Sequence, residues 1–335
     1  MEGRPRCNVK PVSAPNFFLV GAPKAGTTAL YRYLEQHPQI YMSPIKEPHY
    51  FADEIRFENF SAEMQTMSGA DRAALRRYLD GPVVERFSGG PVTAWSDYLK
   101  LFAGVKNEIA AGEASTCYLW SATAPENIAS AFPQAKILMI LRDPSDRAFS
   151  HFRHRLSFAR RRVSFSEHLS ACLASSSTTI SEEYPSLQLG LYHKQVLRYL
   201  TLFARQRVHI GFYEDYLRAP AAFLRHICSF LEVDPEFQFD FSTKHMQASV
   251  PQSYALNHGL KRLGLWNLAR KVSPPRVRAQ LRRMAFRPAH TMSLSPDERR
   301  RLVDFYRADI QNLARLLDRD LSAWLDRLPT ATPSR

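Results

Sequence analysis

The sequence predicts an α/β protein in which a central parallel sheet is flanked by helices and followed by a helical C-terminal annex. Three short strand-like segments, the first two of them apolar runs, alternate with segments of helical periodicity and carry that prediction. The first is Phe17-Phe18-Leu19-Val20, which ends at Gly21 and is followed by a helical pattern that opens near Thr27 and continues through Leu30, Tyr33 and Leu34. The second starts at Lys136, where Ile137 to Leu141 form an unbroken run suited to a strand buried on both faces. The third is Val208 to Phe212. Strands separated by helices are joined by crossovers, and crossovers make neighbouring strands parallel.

The helices carry their own signals. Asp143 and Pro144 open the one after the second run: an aspartate accepts from free first-turn amides, a proline fits the first turn, and Ala148, Phe149 and Phe152 supply an apolar face. Leu191 to Phe203 and Ala221 to Leu231 read as amphipathic helices on either side of the third segment. Ser295 to Trp324 reads as one packing helix, with Ser295 as cap, Pro296 in the first turn and Glu298 completing a capping box. Ser170 to Ser181, rich in Ser and Thr, is expected to be a mobile loop. Lys261 to Arg287 is strongly basic with Leu and Trp interleaved, and fits either a solvated helical face or a cationic wall beside an anionic ligand. Residues 1–15 are expected to be a flexible N-terminus and 16–335 a single domain.

Composition narrows the function classes. A chain of 335 residues, 45% hydrophobic and 23% charged, buries a sizeable core, which excludes a disordered protein. The net charge of +13 favours acidic partners: phosphate-bearing cofactors, sulfated glycans, nucleic acid or an anionic membrane surface. Cys7, Cys117, Cys172 and Cys228 are scattered, so free thiols in a reducing compartment are expected, and no metal site. Met1 to Pro15 lacks the apolar core of a signal peptide and no run is long enough to span a bilayer, so a cytoplasmic location is expected, with at most weak contact to a membrane surface.

The chemistry sits first in Gly21-Ala22-Pro23-Lys24-Ala25-Gly26-Thr27-Thr28, between the first strand and the first helix. Glycines let the backbone turn its amides inward, and the helix N-terminus adds partial positive charge, so the loop can cradle a phosphate. A P-loop-like fold follows. Nucleoside triphosphatases place a lysine directly after the second glycine, whereas here Thr27 stands there and Lys24 lies in mid-loop.

Three further segments accompany the loop: Ile45-Lys46-Glu47-Pro48-His49-Tyr50-Phe51, Glu113-Ala114-Ser115-Thr116-Cys117-Tyr118, and Arg142-Asp143-Pro144-Ser145-Asp146-Arg147-Ala148-Phe149-Ser150. With them the sequence resembles the sulfotransferases that use 3′-phosphoadenosine-5′-phosphosulfate (PAPS), in the branch of bacterial and heparan sulfate sulfotransferases. The resemblance spans roughly Asn16 to Val233. It implies that Lys24 meets the oxygen bridging phosphate and sulfur, that Ala25, Gly26, Thr27 and Thr28 hold the 5′-phosphate, and that Arg142 and Ser150 hold the 3′-phosphate. It implies Glu47 as general base, with His49 orienting the acceptor or sharing the proton. Lys261 and Arg262 are expected to close over the nucleotide, leaving adenosine 3′,5′-bisphosphate as product. The implied acceptor is a small molecule or glycan, and no nucleic-acid partner is expected. Ala114 replaces a lysine of the heparan sulfate branch, which argues against that specificity. Gly190-x-Tyr192 and Tyr213-Glu214-Asp215 match family patterns and read as structural.

Other readings stay open on the residues alone. Arg142 could pair with Asp143 or Asp146, Glu47 could form a surface pair with Lys46, and His49 could be packed beside Tyr50. A P-loop kinase would need the displaced lysine and an acid where Arg142 stands. An anion- or nucleic-acid-binding module would use the basic 261–287 stretch but leave Glu47 unexplained.

Overall fold

The computed structural model describes residues 14–59, 72–83, 85–87, 90–156, 163–174, 186–242, 249–251, 286–288 and 292–326. Five strands, β1 (Phe17–Gly21), β2 (Ile40–Met42), β3 (Ala110–Ala114), β4 (Lys136–Leu141) and β5 (Val208–Phe212), form one parallel sheet in the order β2-β3-β1-β4-β5. The apolar runs of β1 and β4 lie in the middle of it, and every residue of β1 is buried. Placing β1 centrally means that both of its faces are covered, which explains a run with no polar alternation.

Two strands escape the sequence reading. β2 is only three residues long, and β3 is Ala-Ala-Gly-Glu-Ala, with no β-branched or aromatic residue. The small residues are required by packing: a Cβ on Gly112 would stand 2.5 Å from the Phe17 ring. The close approach of β3 to β1 therefore removes the hydrophobic signal by which a strand is read.

Helices α1 (Thr27–Leu34), α2 (Trp95–Lys100), α3 (Cys117–Trp120), α4 (Ala124–Ala131), α5 (Pro144–Leu156), α6 (Phe165–Ala174), α7 (Tyr192–Leu202), α8 (Tyr213–Arg218) and α9 (Pro220–Leu231) fill the connections. Asp143 caps α5 through Ser145 N–H, 2.9 Å from Oδ1. The expected loop from Ser170 to Ser181 is corrected in its first half: residues up to Ala174 are helical, because Phe165 and Leu169 bury one face of α6 and Phe165 meets the rings of Phe149 and Phe152. The rest of that stretch lies outside the described residues, as do residues 1–13 and 261–285. Phe286 and Arg287 belong to β7 (Phe286–Pro288), which pairs antiparallel with β6 (Ser249–Pro251). Among the described residues Cys117, Cys172 and Cys228 are free thiols.

The C-terminal segment is two helices rather than one. α10 (Pro296–Leu317) starts at the expected capping box, with Glu298 N–H donating to Ser295 Oγ and Ser295 N–H donating to Glu298 Oε2. It stops at Asp318, whose φ of 48° is left-handed, and α11 (Ser322–Asp326) follows. Reversing there brings Trp324 against Tyr192 and Phe212. On the first turn of α10, Arg299 is buried and bonds both Asp143 and Asp146, which ties the annex to the start of α5. No described helix is long and apolar enough to cross a membrane.

Candidate active site

The site is built where β1 and β4 part. Leu19 is in register with Leu138, but the register shifts by Gly21, and Ala22 N–H donates to Ile140 O at 2.7 Å. The chain then turns through two left-handed residues, Lys24 at φ 70° and Gly26 at φ 88°. Gly26 is fixed twice, by that conformation and by the Tyr213 ring, which would lie 2.9 Å from an added Cβ. Helix α1 begins at Thr27 with no side-chain cap and no acid in its first turn. Its leading amides are thus left for an anion from elsewhere.

Cations converge on the same loop. Arg142, at the end of β4, donates through Nη1 to Lys24 O at 3.0 Å, and its guanidinium lies 4.7 Å from the centre of the Tyr213 ring. Its alternative partners, Asp143 and Asp146, are held by Arg299. Tyr213 is therefore structural in a specific sense: it props both Gly26 and Arg142. Burial, and then Arg142, lower the Lys24 amine from 10.5 to about 8, with Lys46 and Arg153 adding to the effect and Glu47 opposing it. A desolvated cluster of like charge around uncapped amides fits a phosphate-bearing ligand.

A cavity of about 420 Å³ opens beside this loop, and Lys24, Thr27 and Thr28 line it together with Lys46, Glu47 and His49. Glu47 Oε2 accepts from the N–H and the Oγ1 hydroxyl of Thr116, both at 2.8 Å, while Oε1 accepts from Lys46 Nζ at 3.1 Å. The Lys46 pair exists, but in a cavity wall where the Glu47 side chain is only 24% exposed. Burial alone would raise the carboxyl; Lys46, His49 and Thr116 outweigh it and hold the group at about 2. It is a carboxylate at neutral pH.

His49 stands at φ 59° with its Nδ1 3.0 Å from Cys117 Sγ and 4.0 Å from Glu47 Oε2. Burial pushes its pKa down further than Glu47 raises it. The neighbouring Tyr50 ring stacks on Tyr98.

The remaining site residues divide. Ala25 is fully buried in the loop, and Ser150 is buried on α5 next to His151, which lines the cavity. Arg142 borders the loop without lining that cavity. Lys261 and Arg262 lie outside the described residues. Sequence reasoning missed Thr116, Trp120, His151 and His154, all in the cavity wall. The spacing of His151 and His154, three apart on α5, was the available signal for a shared helix face. Burial, with Lys24 nearby, lowers His154 to about 4. Among the described residues no group of three or more His, Cys, Asp or Glu is placed to hold a metal ion.

Together these define an α/β protein of P-loop-like fold in which the loop after β1 shares a cavity with a carboxylate and a histidine. The chain belongs to the sulfotransferase family, whose model matches residues 15–237. It is 31% identical over 228 residues to the human bifunctional heparan sulfate N-deacetylase/N-sulfotransferase 3, covering 67% of this chain and 23% of that protein. It is 27% identical over 257 residues to rat carbohydrate sulfotransferase 15, covering 66% of this chain and 44% of that one. The chain thus spans less than half the length of these relatives. The crystal structure of a sulfotransferase from Alicyclobacillus acidocaldarius superposes with a TM-score of 0.67 at 31% identity, covering 93% of this chain and 99% of that one.

Proposed function

We propose that the protein transfers the sulfuryl group of PAPS to a hydroxyl of a carbohydrate or glycosylated natural product, with Glu47 as general base. The observation that carries this reading is the convergence of Lys24, Thr27, Thr28 and Glu47 on one cavity. In such a transfer the acceptor oxygen forms a bond to sulfur while the bond from sulfur to the bridging oxygen breaks. The hydroxyl proton passes to Glu47, which is ionised and faces the cavity. The electron pair of the broken bond stays on the 5′-phosphate, where Lys24 and the first-turn amides of α1 offset the new charge. Arg142, left free by Arg299 and propped by Tyr213, is available to the 3′-phosphate.

Two observations support a carbohydrate acceptor. The relatives described above are named for carbohydrate and heparan sulfate, and the cavity is lined by Trp120, an aromatic residue of the kind that sugar rings stack on. A kinase reading is weaker, since the residue after β4 is Arg142 and the loop lysine stands before the second glycine. The test is incubation with PAPS and a library of glycans and glycosides, followed by mass spectrometry. Gain of one sulfuryl group on a hydroxyl-bearing sugar is expected. Consumption of ATP with phosphorylated products, and none from PAPS, would overturn the proposal.

A further inference from the structure

Glu113, the penultimate residue of β3, lies in the core with no exposed surface, yet it is the centre of a polar network beside the site. It accepts three hydroxyl hydrogen bonds: from Ser115 Oγ at 2.7 Å, Tyr118 OH at 2.8 Å and Tyr98 OH at 3.0 Å. All three donors are themselves fully buried. A hydroxyl has one proton and two lone pairs, so once its proton is spent on the carboxylate its oxygen can only accept. Ser115 Oγ accepts from His49 N–H at 3.1 Å, and Tyr118 OH accepts from Phe51 N–H at 3.2 Å. Between them, the Tyr50 ring stacks on Tyr98 with centroids 4.7 Å apart. Residues 49, 50 and 51 are thus each gripped by a different one of the three groups that Glu113 orients.

The grip matters because of what the turn carries. His49 is left-handed, a conformation that a residue with a side chain keeps only where its surroundings impose it. Glu47 is two residues away, and its Thr116 partner sits between Ser115 and Cys117 on the same segment. We infer that Glu113 is a positioning residue: acting through Ser115, Tyr118 and Tyr98, it fixes the 47–51 turn against the end of β3 and so sets Glu47 and His49 in place, touching neither donor nor acceptor. This rests on the reading of Glu47 and His49 given above.

The test uses Ser115→Ala and Tyr118→Phe, which each delete one relay oxygen from a buried site without adding volume, and Glu113→Gln, which keeps the shape of the hub. Burial raises Glu113 to about 7 against the pull of the three hydroxyls, so assays are run at pH 8. Each variant is expected to lower kcat on the order of 10²-fold, the usual loss when a reacting group is displaced by about 1 Å. The donor KM and the Kd for adenosine 3′,5′-bisphosphate should stay within about twofold of wild type, because the loop at Lys24 is not part of the network. Amide hydrogen exchange supplies a readout independent of activity: exchange at His49 should accelerate in Ser115→Ala, and at Phe51 in Tyr118→Phe. Unchanged kcat in both relay variants, loss of donor affinity in step with kcat, or unaltered exchange at both amides would each overturn the inference. If the wild type transfers no sulfuryl group, the proposed function fails, while the exchange data still decide whether Glu113 holds the turn.

Discussion

Replacing Glu47 with glutamine keeps the side chain's size and removes its ability to take a proton. The glutamine carbonyl oxygen can inherit both Thr116 hydrogen bonds at 2.8 Å, but its amide nitrogen would meet the Lys46 ammonium, now 3.1 Å from Oε1. The variant therefore loses one charge-assisted hydrogen bond, about 1.5–3 kcal/mol, and the proton acceptor, roughly 10²- to 10⁴-fold in kcat. The pH dependence separates the two losses. Glu47 lies at about 2 in the folded protein against an ordinary 4.5, because Lys46, His49 and Thr116 outweigh the burial that opposes them. A folded value below the unfolded one adds stability that is complete above pH 4.5 and disappears as pH falls through about 2. By linkage, wild type should lose roughly 2 kcal/mol from this group between pH 7 and pH 3, and Glu47→Gln should not. Steady-state transfer at saturating donor gives the first number, and denaturant unfolding at the two pH values gives the second. Turnover of the variant within threefold of wild type would refute the base assignment, and a stability gap that does not narrow on acidification would refute the electrostatic account of the carboxylate.

Lys24→Ala should abolish most transfer. Since the Lys24 pKa is depressed to about 8, its protonated form costs stability at neutral pH, a cost relieved as pH rises through 8; the variant should melt no lower than wild type at pH 7, checked by calorimetry. In wild type, affinity for adenosine 3′,5′-bisphosphate should weaken above about pH 8, as titration calorimetry across pH would show. Arg299→Ala leaves Asp143 buried without its partner and should cost about 3–5 kcal/mol in denaturant unfolding, part of it recovered by adding Asp143→Asn.

The parts of this molecule that could be read from its sequence are those whose cause is local. β1 and β4 announce themselves because burial on both faces demands unbroken apolar runs, and the loop from Gly21 to Thr28 is contiguous, so its glycines, lysine and helix start appear together. Glu47 and His49 came through family resemblance, and the structure brings both to the cavity that Lys24 lines. What could not be read depends on distant packing. β3 has no strand signature because Phe17 leaves room only for a glycine opposite it. Thr116 reaches Glu47 only because the end of β3 lies beside the 46–51 turn, 69 residues earlier in the chain. The break at Asp318 carries neither glycine nor proline, and is set by where Trp324 must pack. Arg142 needed a third party: whether it pairs with its neighbouring aspartates is decided by Arg299, 156 residues beyond Asp143.

The central claim is that this site recognises a 3′-phosphorylated donor, and titration calorimetry of the wild type and Arg142→Ala with adenosine 3′,5′-bisphosphate and with 5′-AMP tests it most directly. Arg142 is held between Lys24 O and the Tyr213 ring, and a charged hydrogen bond from it to the 3′-phosphate should contribute about 1.5–3 kcal/mol. Wild type is therefore expected to bind the bisphosphate more tightly than 5′-AMP by at least about tenfold, and Arg142→Ala to lose most of that preference while its affinity for 5′-AMP hardly changes. Equal affinity of the wild type for the two nucleotides, or equal losses for both in the variant, would contradict the claim.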